Sequence, residues 1–142
     1  MYRFLESRVA DYMTRAVMTV SSDTPVHELE RRFTQHDFNG FPVVDGGVLV
    51  GVVTKFDVLK AFIFTPQSVV PRYEELSQRP AAEIMSREVL TFPPETPLTH
   101  VLQTLVDSRV KSFPVVDSGR LVGIIAREDV VRALRDASGR SA

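Results

Sequence analysis

Apolar residues in this chain follow two alternating patterns. Phe41-Pro42-Val43-Val44, Val48–Val53, Phe113-Pro114-Val115-Val116 and Leu121–Ile125 are short runs, broken by little except glycine. Runs of that length bounded by turn residues predict strands covered on both faces. Between them, apolar residues recur every three or four positions: Val26, Leu29 and Phe33, then Leu98, Val101, Leu102, Leu105 and Val106. That spacing predicts helices with one buried face. Thr24-Pro25 and Thr96-Pro97 precede them, a hydroxyl for the N-cap and a proline for the first helical position. Asp45-Gly46-Gly47 and Asp117-Ser118-Gly119 supply tight turns between paired strands. Further strands are expected at Val17–Val20 and Val89–Phe92, after amphipathic lead-ins at Val9–Met13 and Ala81–Met85. Closing helices are expected from Lys55 to about Phe62 and from Arg127 to about Asp136.

The pattern occurs twice. Sliding the chain by 72 positions lays Phe41–Asp45 on Phe113–Asp117, Leu49–Gly51 on Leu121–Gly123, Met13 on Met85 and Asp57-Val58 on Asp129-Val130. From Val9 to Phe62 no gap is needed, and about a third of the pairs are identical. Two copies are too few for a solenoid and indicate a duplicated β-α-β-β-α unit. One unit is too small to cover its own sheet, so the two are expected to pack together about a pseudo-twofold axis. The expected division is 9–62, a connector at 63–80, and 81–134. Pro66 and Pro71 break any long helix in the connector, while Tyr73–Gln78 suits a short one.

Composition narrows the function. The 142 residues carry 17 Lys+Arg, 18 Asp+Glu, a net charge of −1 and no cysteine. Disulfides, thiolate nucleophiles and zinc–sulfur sites are excluded, and a reducing cytoplasm is the expected setting. The balanced charge argues against a nucleic-acid binder. No apolar stretch approaches the roughly 20 residues of a membrane span, and the N-terminus lacks the apolar core of a secretory signal. His27, His36 and His100 stand in no metal-binding spacing. Gly51-Val-Val-Thr-Lys55 is not a phosphate-binding P-loop, and no nucleophile–base pair is supported by spacing, so an enzyme is not expected.

Two β-α-β-β-α copies, each with an FPVVD hairpin, and Thr54-x-x-Asp57 after the first, resemble a tandem pair of CBS domains, the arrangement called a Bateman module. The resemblance covers Val9 to Leu134. It implies an α/β fold with two clefts between the repeats. It also implies a regulatory module, alone or attached to an effector protein, that binds AMP, ADP, ATP or S-adenosylmethionine and commonly forms homodimers.

Candidate binding residues follow. The N–H groups at the start of the helix after Thr54 suit a phosphate, and the Thr54 hydroxyl adds a donor. Asp57 can accept from both ribose hydroxyls. The same residues also read as a capping box that needs no ligand. The second copy, Ala126-Arg127-Glu128-Asp129, lacks the hydroxyl but keeps the aspartate, which slightly favours a ribose role, with a helix-dipole carboxylate beside Glu128 as the alternative. By resemblance, Phe38-Asn39-Gly40 and Val110-Lys111-Ser112 line the clefts. The backbone around Val17–Thr19 and Val89–Thr91 (Val17, Thr19, Val89 and Thr91 themselves) would read the adenine edge, although Val17 and Val89 equally suit core strands. Arg109, Lys111 and Arg127 stand where the first copy has Asp37, Asn39 and Lys55. A polyphosphate prefers that basic side, while solvated surface charge is the alternative. The competing function is a constitutive homodimerising or partner-docking module with empty or degenerate clefts, favoured by Ala126.

Overall fold

The computed structural model describes residues 2–63 and 73–139. Their elements are helices α1 (Tyr2–Glu6), α2 (Val9–Tyr12) and α3 (Val26–Gln35), strands β1 (Gly40–Asp45) and β2 (Val48–Thr54), and helices α4 (Lys55–Ala61) and α5 (Tyr73–Ser77). A 3-10 turn at Ala81–Glu83 follows, then α6 (Leu98–Ser108), β3 (Ser112–Asp117), β4 (Arg120–Ala126) and α7 (Arg127–Ala137). Pro66 and Pro71 lie outside the described residues.

Contacts divide the chain into two compact units, Met1–Val17 with Leu90–Ala142, and Met18–Val89. Each unit therefore holds one repeat's hairpin and helices together with the lead-in of the other repeat. In Met18–Val89, α3, the β1–β2 hairpin and α4 enclose Val20, Val26, Leu29, Phe41, Val43, Val53 and Val58, and Ala81 from the second lead-in completes that core. In the other unit, Phe4, Val9 and Met13 from the chain's start join Phe92, Leu98, Val101, Leu105, Phe113, Val115, Ile125, Val130 and Ala133.

Both hairpins are antiparallel and share one irregularity. The register slips between Val43 and Val44 in β1, and between Val115 and Val116 in β3, as a β-bulge does. Their turns have positive φ at both central residues, 58° and 85° at Gly46 and Gly47, 53° and 81° at Ser118 and Gly119. That is the type I′ geometry, whose twist matches the strands it joins.

Three expectations are corrected. The strands expected at Val17–Val20 and Val89–Phe92 shrink to single parallel bridges, Val20 to Val43 and Phe92 to Val115. Val20 donates to the Pro42 carbonyl at 3.0 Å and accepts from Val44 N–H at 2.8 Å. The next rung back would need an N–H at Pro42, or at Pro114 in the second copy, and proline has none. Thr24 and Thr96 do not cap their helices, because Pro25 and Pro97 occupy the N-cap position without a side-chain bond. The first helical N–H groups go instead to the chain just ahead of the lead-ins: Val26 to the Arg79 carbonyl at 2.9 Å, Leu98 to the Ser7 carbonyl at 3.0 Å. Thr24 Oγ1 accepts from Ser21 N–H at 3.0 Å and closes the preceding turn. Finally, Val106 lies 66% exposed, off the buried face of α6.

Candidate functional site

The start of α4 is built from Thr54 and Asp57. The Asp57 Oδ2 accepts from Thr54 N–H at 2.8 Å and from its hydroxyl at 3.0 Å. Asp57 N–H donates to Thr54 Oγ1 at 3.1 Å. This is a complete capping box with aspartate in the acidic position. Asp57 is only 4% exposed. Its other oxygen, Oδ1, faces the ammonium of Lys60 at 3.3 Å.

The start of α7 repeats half of this. Asp129 Oδ2 accepts from Ala126 N–H at 2.8 Å, and Oδ1 lies 3.3 Å from the Arg132 guanidinium. Ala126 offers no oxygen in return. The retained aspartate is therefore accounted for by the helix start alone, and its retention beside Ala126 does not by itself require a ribose. The partners Lys60 and Arg132 were missed by the sequence reading. Their spacing, one helical turn after each aspartate, was visible all along.

The segment before each hairpin is tied to the same helix start. Asn39 gives its carbonyl to Lys55 N–H at 3.0 Å, and Lys111 gives its own to Arg127 N–H at 3.1 Å. Gly40 pairs with Thr54 across the first hairpin, and Ser112 with Ala126 across the second. A Cβ at Gly40 would stand 3.0 Å from the Val53 carbonyl. Phe38 and Val110, at equivalent positions, are exposed. Phe38 stacks on His36 and meets Phe41 edge-on, with ring centres 5.6 and 5.8 Å apart. Phe38, Asn39, Gly40, Thr54 and Asp57 thus gather in one unit, and Val110, Lys111, Ser112, Arg127 and Asp129 in the other.

The remaining candidates lie where the chain passes between units. Val17 and Thr19 fall on opposite sides of one crossing, Val89 and Thr91 on opposite sides of the other. All four are half-buried. The Thr19 carbonyl accepts from Arg32 Nη1 at 3.2 Å, which ties it to α3.

Among the described residues no group of His, Asp and Glu could hold a metal ion. No helix among them is long and apolar enough to cross a membrane.

Comparison with known proteins agrees with this geometry. The CBS domain family model matches residues 9–63 and 81–136. The chain is 34% identical over 136 residues to the CBS domain-containing protein YhcV of Bacillus subtilis, covering 96% of this chain and 90% of that protein. Several other curated relatives are longer, and the chain spans 14% to 46% of them. Among solved structures it resembles CBSX2 in complex with AMP, a protein of Arabidopsis thaliana (TM-score 0.78, 27% identity, 92% of this chain and 98% of that one). It also resembles the CBS domain pair of protein MJ0100 in complex with 5-methylthioadenosine and S-adenosyl-L-methionine (TM-score 0.69, 28% identity, 92% and 98%). A fold of this kind is a regulatory rather than a catalytic one. The chain belongs to the CBS domain family, as a tandem pair of β-α-β-β-α repeats.

Proposed function

We propose that this pair is a regulatory module that binds an adenosine-containing ligand, AMP, ADP, ATP or S-adenosylmethionine, at the residue sets around Asp57 and Asp129. The observation that carries the reading is the repeated geometry of Asp57 and Asp129. Each fixes one carboxylate oxygen on its own helix start, while the other faces a cation one turn along, Lys60 or Arg132, of which Arg132 is also held by the Tyr12 carbonyl at 3.0 Å. A ribose diol can take the place of that cation without disturbing the helix. The complexes of CBSX2 with AMP and of MJ0100 with two adenosyl compounds support the ligand class.

In this reading Thr54 and the first N–H groups of α4 receive phosphate, and Phe38-Asn39-Gly40 and Val110-Lys111-Ser112 form walls. The backbone at Val17, Thr19, Val89 and Thr91 meets the base. The module works in the cytoplasm as a homodimer and passes the bound state to an effector protein. Exposed Phe56, Leu59 and Ile63 at and just beyond α4 support pairing of two copies.

A thermal-shift panel with AMP, ADP, ATP and S-adenosylmethionine tests this. A ligand at 100 times its Kd adds about 2.7 kcal/mol of stability. Asp57→Asn or Asp129→Asn abolishes the shift according to which set binds. No shift with any of the four at millimolar concentration overturns the reading. The second reading, a docking module with empty clefts, is favoured by Ala126 and by the sufficiency of helix capping at Asp129. It predicts no shift and an unchanged oligomer.

A further inference from the structure

The two binding sets differ in charge, and the structure holds that difference in place. Around the start of α7 stand Arg109, Lys111 and Arg127, all exposed. Among the described residues none of the three is paired with a carboxylate, whereas Asp57, Glu28 and Asp129 each hold a cation. Arg127 Nη2 donates to the Arg109 carbonyl at 2.8 Å, and Arg127 N–H to the Lys111 carbonyl at 3.1 Å. These bonds keep the three residues within one short stretch of surface beside Asp129.

Arg109 also ends α6 in the left-handed region, at φ 60°. Its counterpart Asp37 is not among the residues with positive φ, and His36 closes α3 at φ −128°. Around the start of α4, Asp37, Asn39 and Lys55 leave one charge of each sign, next to the aromatic face of Phe38.

Resting on the adenosyl-binding reading above, we infer that the two sets take different ligands. The second-repeat set, Arg109, Lys111, Arg127 and Asp129, selects a nucleoside di- or triphosphate. The first-repeat set, Phe38, Asn39, Thr54 and Asp57, takes an adenosyl ligand with at most one phosphate. The physical basis is that charge-assisted bonds to phosphate are about twice as strong as neutral ones, and each added phosphate needs further cations.

Titration calorimetry of the full chain with adenosine, AMP and magnesium-free ATP tests this, at low and at moderate salt. In the parent protein ATP is expected to bind more tightly than adenosine, and that advantage shrinks as salt rises. The variant Arg109→Asp carries the residue of the first repeat and leaves Lys111, Arg127 and the start of α7 intact. It should lose about tenfold or more in ATP affinity, with adenosine affinity held within about twofold. The converse, Asp37→Arg, should raise ATP affinity. Parallel losses for ATP and adenosine, or no loss for ATP, overturn the charge assignment while leaving adenosyl binding in place. Absence of binding by every compound to the parent protein removes the adenosyl reading and this inference together.

Discussion

The sulfur of Met13 and the alpha carbon of Gly123 are packed so closely that no side chain fits between them. A Cβ built on Gly123 would stand 2.8 Å from Met13 Sδ and 2.8 Å from the Thr14 carbonyl. Met85 and Ser86 close over Gly51 in the same way, at 2.9 and 2.7 Å. The contacts are sealed by paired bonds, Thr14 with Ile124 at 2.8 and 2.9 Å, Val52 with Ser86 at 2.9 Å each way. A flexible thioether can move aside, but a hydrogen-bonded backbone oxygen moves less easily. Gly51→Ala and Gly123→Ala are each expected to destabilise the protein by about 1–3 kcal/mol. Each kcal/mol lowers the melting temperature of a chain this long by about 3–5 °C. An unchanged urea midpoint in both variants would show that the lead-ins are not held where the structure places them.

The two helix starts differ by one hydroxyl, which makes them a natural comparison. Ala126 has φ −121° and ψ 168°, close to the −114° and 166° of Thr54, so a threonine fits there without strain. Ala126→Thr should complete the box and stabilise by about 1 kcal/mol. Thr54→Ala should cost a similar amount, because Asp57 keeps its bond to the backbone N–H. Asp57→Ala should cost about 1–3 kcal/mol, since it leaves a half-buried N–H unsatisfied. Chemical denaturation of the three variants checks the order. Equal effects at Thr54 and Asp57 would contradict it.

Much of this was legible in the residues. The duplicated FPVVD hairpins, the helical faces of Val26, Leu29 and Leu98, Val101, Leu105, and the turns at Gly46 and Gly119 are local patterns, and they form as their residues prescribe. The exchange of lead-ins was not legible, because nothing in Val9–Met13 distinguishes packing on its own repeat from packing on the other. The repeat also reaches further back than identity shows. Phe4 in α1 is buried, Leu76 in α5 stands 72 positions later half-buried, and the flanking residues share no identity. At the site, the box at Thr54 and Asp57 was readable. The positive φ of Arg109 was not, since an arginine there runs against steric preference.

Ser118 also occupies the left-handed region, at φ 53°, where the first hairpin has Gly46 at 58°. A Cβ at this φ costs roughly 1–2 kcal/mol. Ser118→Gly gives up only a long hydroxyl contact with Asp117 at 3.5 Å. The variant should therefore melt higher, by about 3–5 °C per kcal/mol recovered. Scanning calorimetry decides it, and a lower melting temperature would mean that the unfolded chain's gain in freedom outweighs the relieved strain.

Stability should fall at both ends of the pH scale through identifiable groups. Hydrogen bonds from Arg31, and secondarily Arg32, hold the Glu28 carboxyl down from 4.5 to about 2. A group whose folded pKa is lowered stabilises fully above its unfolded value, and that contribution is lost as the pH falls through the folded one. The loss therefore runs from about pH 4.5 down to about 2. Tyr12 behaves oppositely. Its hydroxyl donates to Asp136 Oδ2 at 2.8 Å, and this bond, with burial and the carboxylate's charge, raises its pKa above 10.0. Its contribution is present below pH 10.0 and lost as the pH rises through the higher folded value. Glu28→Gln should flatten the acid limb of the stability curve and leave the alkaline limb unchanged, and Tyr12→Phe should do the reverse. Denaturation midpoints from pH 2 to 11 separate the two, and an acid limb as steep in Glu28→Gln as in the parent would remove Glu28 from the account.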